Sequence, residues 1–558
     1  LEAQGIETQF AGASVAGISF NTQLQQDLVR AEIIAIPVTL ILLVFIFGGV
    51  VAAAVPVAVG ALAVAGALTV LRVFTEFTDI SSFAINVASL LGLGLAIDYG
   101  LFVVSRFREE LRKGSDGHEA ARRTVLTAGR TIAFSGLLLI CAFAGMLVFP
   151  QAIIRSLGYG AMAAVGCAAI LSLTAVPAVL AILGPRINAI TWSRTASDRG
   201  EERAHRLWGG IVTRVMRRPV VVAAVITGGL LIMASPLLKT TLGEVSYTAL
   251  PADDPARVAY ETLTDDFRST GDSATLVLTG DTARPDGPAI NSVITAARAV
   301  DGVADVRFGT ASGNFVVIDA TFASGVDSTE QQELVKEIRA IPQPDGTTLT
   351  VGGAAALVLD GNTAIMNWLP VMLAIMVGST LVLLFLAFGS VVLPVKAVAM
   401  AALSMAATFG ALTFIFQEGN GASLLGVTPA PLEATFVVLI LAVVFGLSTD
   451  YEVFLMSRMV EARTAGATTE EAVLVGAQRT GRIVTAAALI LIIVTGAFAV
   501  SGLSIMRFVG VGMILALIID ATIIRMLLVP SLVKLMGEAN WWAPAWMKRV
   551  HAKVGIGH

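Results

Sequence analysis

The stretch "GLGLAIDYGLFVVSRFREE" at positions 92–110 decides how this chain folds. Its first half reads as an apolar helix suited to lipid, yet Asp98 sits in the middle of it. An ionised carboxylate at the centre of a membrane helix costs about 2.5–3.5 kcal/mol on insertion scales, so such a residue turns toward protein or a watery cavity. A second stretch, "GLSTDYEVFLMSRMVEA" at 446–462, carries the same pattern. Asp450 precedes Tyr451 there as Asp98 precedes Tyr99.

The rest of the chain agrees with a membrane setting. Of its 558 residues, 56% are hydrophobic and 14% charged, against about 25% charged in soluble domains, and the mean hydropathy is +0.82. About 20 apolar residues cross roughly 30 Å of hydrocarbon. Runs near 33–47, 51–72, 82–105, 130–149, 158–184, 219–237, 365–387, 391–416, 431–457, 483–502 and 508–536 are the candidates, the first extending a turn or so upstream. Composition thus predicts a polytopic α-helical membrane protein with no nucleic-acid partner. Arginines cluster after the third span (Arg106, Arg108, Arg112, Arg122, Arg123, Arg130) and after the fifth (Arg186 to Arg218). The positive-inside rule makes both loops cytoplasmic. It puts 238–364 outside and the tail, with Trp541, Trp542, Lys548 and Arg549, inside. Cys141 and Cys167 fall in spans, so no disulfide framework is implied. His118, His205, His551 and His558 fall in predicted cytoplasmic segments, which leaves proton chemistry inside the membrane to carboxylates and tyrosines. Neither a metal site nor a catalytic residue is expected.

An internal repeat organises these spans. An offset of 352 relates Asp98 to Asp450, Gly94 to Gly446, Glu119 to Glu471 and Arg130 to Arg482. An offset of 341 relates Gly12 to Gly353 and Gly48 to Gly389, and one of 353 relates Pro177 to Pro530. One five-helix unit is present twice in the same orientation, the parallel-repeat arrangement with its axis along the membrane normal. The change of offset places an insertion around Gln417–Pro431. The expected divisions are 1–32 (remnant of a first periplasmic domain, with "LEAQGIETQFAG" its last strand), 33–184 (first repeat) and 185–218 (cytoplasmic linker). They continue with 219–237 (the helix opening the second half), 238–364 (periplasmic porter domain), 365–537 (second repeat) and 538–558 (cytoplasmic tail). Symmetry predicts a twelfth span and most of a first external domain upstream, and residue 1 is Leu, so the sequence is expected to start part-way into a longer polypeptide. Within 238–364, helical patterns near 254–268, 286–299 and 328–340 alternate with "SATLVLTG", "VADVRFGT", "NFVVIDATF" and "TTLTVGG", which predicts ferredoxin-like α+β packing.

On a helix at 100° per residue, the residues shared by both copies around Asp98 (Gly94, Leu95, Tyr99, Phe102, Ser105, Arg106 and Glu109) fall within an arc of roughly 140°. Two helices facing each other across a pseudo-twofold axis would show this, with Asp98 and Tyr99 opposite Tyr451 and Asp450. A tyrosine hydroxyl can donate to a carboxylate or accept from a carboxylic acid, so the layer can hold a proton or release it. The competing reading is that the carboxylates merely pin two helices together. Their symmetric placement, with no lysine or arginine nearby to neutralise them, favours the relay. Ser135 in "GRTIAFSG" is a further candidate hydroxyl, and Phe102 and Phe454 either pack or plug the path. Asp520 and Arg525 in "IIDATIIRM", spaced i and i+5, read as a structural ion pair.

These residues also resemble a known group. The Asp-Tyr pairs in five-helix repeats are similar to those of the resistance–nodulation–division (RND) superfamily. More closely, "GLAIDYGLFVVSRFREE", "FLAFGSVVLP", "GLSTDYEVFLMSRMVEAR" and "WWAPAWMKR" resemble the MmpL lipid exporters, nearest to the trehalose monomycolate branch. The likeness covers essentially the whole chain. It implies RND-type five/six-helix repeats and a proton relay at Asp98, Tyr99, Asp450 and Tyr451, where inhibitors also sit, with Ser135, Phe102 and Phe454 around them. It implies a proton-driven antiporter in the bacterial inner membrane moving a lipid or glycolipid to the periplasm. Protons are the coupling ion and no other cofactor is implied. Membrane lipids and accessory envelope proteins are the implied partners, with monomer or trimer left open. The absence of a lysine from 431–457, where multidrug RND pumps carry one, favours the lipid branch. The alternatives are a drug or small-solute pump, a sterol-sensing relative, and an intramembrane aspartyl protease. Against the protease, three residues separate Gly94 from Asp98, and the second copy offers only "GLSTD".

Overall fold

A computed structural model of the protein describes residues 8–189, 194–243, 247–267, 273–281, 283, 287–323, 326 and 328–554. Eleven helices among them are long and apolar enough to cross a membrane. Five form the first copy: α1 (Ser14–Phe47), α2 (Val50–Phe74), α3 (Ser82–Arg112), α4 (Gly117–Val148) and α5 (Ala152–Asn188). A helix over Arg194–Arg217 connects to α6 (Pro219–Lys239). The second copy is α7 (Ala354–Phe388), α8 (Val392–Gln417), α9 (Ala434–Thr464), α10 (Thr469–Ala499) and α11 (Ser504–Trp541).

The helices outrun the apolar runs that announced them. α1 is helical from well before position 33, so part of the expected domain remnant continues the first span. The strand expected over "LEAQGIETQFAG" falls largely outside the described residues. The repeat is visible in the stops: α1 and α7 end at Gly48 and Gly389, with φ of 68° and 66°. Their N–H groups close onto Val44 O and Phe385 O. Only glycine adopts that left-handed cap without cost.

α3 and α9 form the centre. In their most apolar stretches 94% and 89% of residues are buried against protein, compared with 6% in α6. The copies interlock, because the first and third helices of each pack on the fourth helix of the other: α1 and α3 on α10, α7 and α9 on α4. Helices in lipid gain little from hydrophobic association and rely on close packing at small residues. Gly94 and Gly446 show this. A Cβ on Gly94 would come within 2.6 Å of Leu491 Cδ1, and one on Gly446 within 2.6 Å of Leu139 Cδ2. The two contacts are images of each other at the 352 offset.

The external domain has a βαββαβ order: β1 (Ser273–Thr279), helix Pro288–Arg298, β2 (Val303–Ser312), β3 (Phe315–Phe322), helix Ser328–Arg339, β4 (Thr348–Gly352). Its antiparallel sheet runs β2-β3-β1-β4, the ferredoxin-like arrangement. Alternation sends Ala274, Leu276 and Leu278 of β1 inward. The domain leads directly into α7. Leu242–Gly243 pairs in parallel with Leu432–Glu433, tying its other end to the turn before α9.

Candidate functional site

The central layer lies where α3 and α9 meet. Asp98, Tyr99, Ser135, Asp450 and Tyr451 are all buried, none more than 6% exposed. Ser135 Oγ, from α4, donates to Asp450 Oδ1 and shares a hydrogen bond of 3.2 Å with the Tyr99 hydroxyl. Tyr99, Ser135 and Asp450 thus form one hydrogen-bonded chain across the junction of the copies. On the other diagonal the Tyr451 hydroxyl lies beside the Asp98 carboxyl, with no serine bridging the two among the described residues. The counterpart of Ser135 there is Ala487. The two crossings therefore use the same Asp-Tyr pairs but differ by one hydroxyl. The Oδ2 atoms of Asp98 and Asp450 are buried and meet no other hydrogen-bonding side chain in good geometry among the described residues.

One turn toward the arginine-rich face, the rings of Phe102 and Phe454 meet with centroids 4.5 Å apart at 59°. Beyond them lies a cavity of about 390 Å³, lined by both phenylalanines with Arg106, Arg130, Thr131, Ser457 and Arg458. Arg106 is held by Glu109 at 2.8 Å and Glu110 at 3.0 Å, and Arg458 by Glu461 at 2.8 Å.

Asp520 and Arg525 are joined at 2.8 Å, and Ser448 Oγ donates to Asp520 Oδ1 at 2.6 Å. The cause is local: Ile519–Leu528 is π-helical. Its i→i+5 bonding stacks residues five apart, which an α-helix would leave about 140° apart. The expectation that no cation lies near the aspartates is corrected here. The Arg525 guanidinium sits 5.1 Å from the centroid of the Tyr451 ring, within cation–π range. Arg525 comes from α11, so no window on α3 or α9 could show it.

A second buried pair escaped the sequence reading. Lys396 of α8 and Glu452 of α9 approach to 3.9 Å, both largely buried. Glu452 adjoins Tyr451 in the quoted motif and Lys396 is a lone lysine in an apolar span; those were the available signals. The first copy has Gly100 and Val55 at these places. Among the described residues no group of three or more His, Cys, Asp or Glu is placed to hold a metal.

Comparison with known proteins shows what the chain is similar to. The model of the MMPL family matches residues 1–222 and 245–554. The chain is 41% identical to "Trehalose monomycolate exporter MmpL3" of Mycolicibacterium smegmatis, over 100% of this chain and 58% of that protein. The corresponding exporter of Mycobacterium tuberculosis is also 41% identical, over 99% of this chain and 62% of its own length. A membrane protein of Streptomyces coelicolor is 38% identical over 98% of this chain and 75% of its own. The chain therefore spans about three-fifths of the length of the two exporters.

Proposed function

The chain belongs to the MMPL family, and from that premise we propose that it is a proton-driven exporter. Its cargo would be a large lipid or glycolipid of the trehalose monomycolate class, moved from the inner membrane toward the periplasm. The observation that carries the proposal is the layer of Asp98, Tyr99, Asp450 and Tyr451 on the two most buried helices, joined by Ser135 from α4. Carboxyls and hydroxyls can exchange a proton without leaving the layer. Two carboxylates repelling in a low-dielectric slab favour carrying one proton between them. The cavity beyond Phe102 and Phe454 supplies a route to the arginine-rich face, which the positive-inside rule makes cytoplasmic. Loading and unloading would favour different arrangements of the interlocked copies. The ferredoxin-like domain, continuous with α7, would turn that motion into passage of lipid.

The test is translocation of labelled glycolipid in cells carrying Asp98→Asn or Asp450→Asn. The expected outcome is loss of export at normal protein levels. Wild-type export by both single variants would end the relay reading. Mass spectrometry of copurified lipid then separates cargo classes. An enriched long-chain glycolipid supports the lipid exporter, and bulk phospholipid in membrane proportions points to a small-solute pump.

A further inference from the structure

The two copies differ where they meet the arginine-rich face. The first-copy cleft, between α3, α4, α7 and α9, holds the cavity of about 390 Å³. Arg130 at its mouth is exposed, and its side chain makes no hydrogen bond or ion pair among the described residues. The symmetry-related cleft lies between α9, α10, α1 and α3, and contacts occupy several of its matching positions among the described residues. Arg482, the counterpart of Arg130, donates to Ile46 O at 2.7 Å. Arg108, where the second copy has Val460, donates to Phe47 O at 2.7 Å and lies 5.9 Å from the centre of the Phe47 ring. From the connecting helix, Trp208 presses on Gly481 so closely that a Cβ there would meet the ring at 2.8 Å. Phe47 is accordingly 3% exposed, while its counterpart Phe388 lines the open cavity.

We propose that the central layer reaches this face through one cleft only, the one at Arg130, and that Arg108 and Trp208 are plug residues sealing its twin. This rests on the relay reading. A layer reachable from both sides at once would let protons cross without moving cargo. One open cleft leaves one constriction, the Phe102–Phe454 contact, to be closed at the right moment. A duplicated fold supplies two clefts by default, so one has to be sealed. The longer side chain at 108 and the connecting helix that carries Trp208 provide the seal.

The experiment measures thiol accessibility in inverted membrane vesicles of the full chain, in a Cys141→Ala/Cys167→Ala background. Thr131→Cys and Ile483→Cys are matched positions at the 352 offset, and Leu126→Cys and Gln478→Cys form a second matched pair in case one variant fails to fold. A membrane-impermeant sulfonated maleimide should label the first member of each pair at least about tenfold faster, since a sealed site reacts only on local opening. Adding Arg108→Val should raise the rate at Ile483→Cys. Equal labelling within both pairs, or no response to Arg108→Val together with Trp208→Ala, overturns the proposal. Labelling needs no transport, so unequal labelling beside normal export by Asp98→Asn and Asp450→Asn would remove the relay and keep the single opening. Equal labelling with export lost would do the reverse.

Discussion

Replacing Arg525 by methionine tests the best-defined charge arrangement in the membrane. Its guanidinium, in a residue only 3% exposed, donates to Asp520 at 2.8 Å and to Ser448 O at 3.2 Å. It also faces the Tyr451 ring. Arg525→Met leaves Asp520 with only the Ser448 hydroxyl. Removing one partner of a buried ion pair costs about 3–5 kcal/mol, because the other charge is left uncompensated. Replacing both partners by apolar groups of similar size is often close to neutral. A double-mutant cycle of Arg525→Met and Asp520→Leu should therefore show coupling of at least about 2 kcal/mol. Equilibrium unfolding of the purified protein in mixed micelles measures it. Costs that simply add, with coupling under about 0.5 kcal/mol, would refute the reasoning. Export by the stable double variant then separates two roles. If stability and export both return, Arg525 only holds α11 on α9. If stability returns alone, Arg525 acts on the relay through Tyr451.

The glycines at the junction predict a graded series. Gly94→Ala and Gly446→Ala should each destabilise by about 1 kcal/mol, the low end for overpacking, because the atom met is the tip of a flexible leucine; Leu491→Ala should relieve the former. Gly410→Ala, whose Cβ would run into the Met233 carbonyl and Ala234 backbone, should be far more damaging on the same unfolding assay. At the start of α10, Glu471 accepts from the Thr468 N–H at 2.8 Å and its hydroxyl at 2.9 Å. Those bonds hold its carboxyl below the usual range. A depressed carboxyl contributes fully above its unfolded value and loses that contribution as pH falls through the folded one. Hydrogen-exchange protection of the amides at 471–473 should therefore fall on acidification, and Glu471→Gln should flatten the change.

What was legible in the sequence was whatever obeys a period or a repeat. Apolar length marked the spans, the offsets paired Gly48 with Gly389 and Asp98 with Asp450, and strand alternation gave the ferredoxin-like order. Contacts between elements far apart in the chain stayed hidden. Arg525 reaches Tyr451 from another helix, through a π-turn that no α-helical projection shows, and Lys396 meets Glu452 from a separate α-helix. The seal at Arg108 was hidden for another reason: it depends on what the second copy lacks.

That last case bears on how a duplicated membrane protein comes to work. Residues kept equal in both copies build the shared layer, since Asp-Tyr pairs must face each other across the axis. The residues that differ sit within it or at its borders: Ser135 against Ala487, Arg108 against Val460, Gly100 against Glu452. Each makes two otherwise equivalent places unlike. With Ser135 bonded to Asp450 and alanine at the matching place near Asp98, the proposed relay would hold its proton on different terms at the two carboxyls. A change of conformation can shift an occupancy only if it acts on states of different energy. On the proposed relay, the repeat would supply the proton-holding groups, and the departures from it the difference that motion can use.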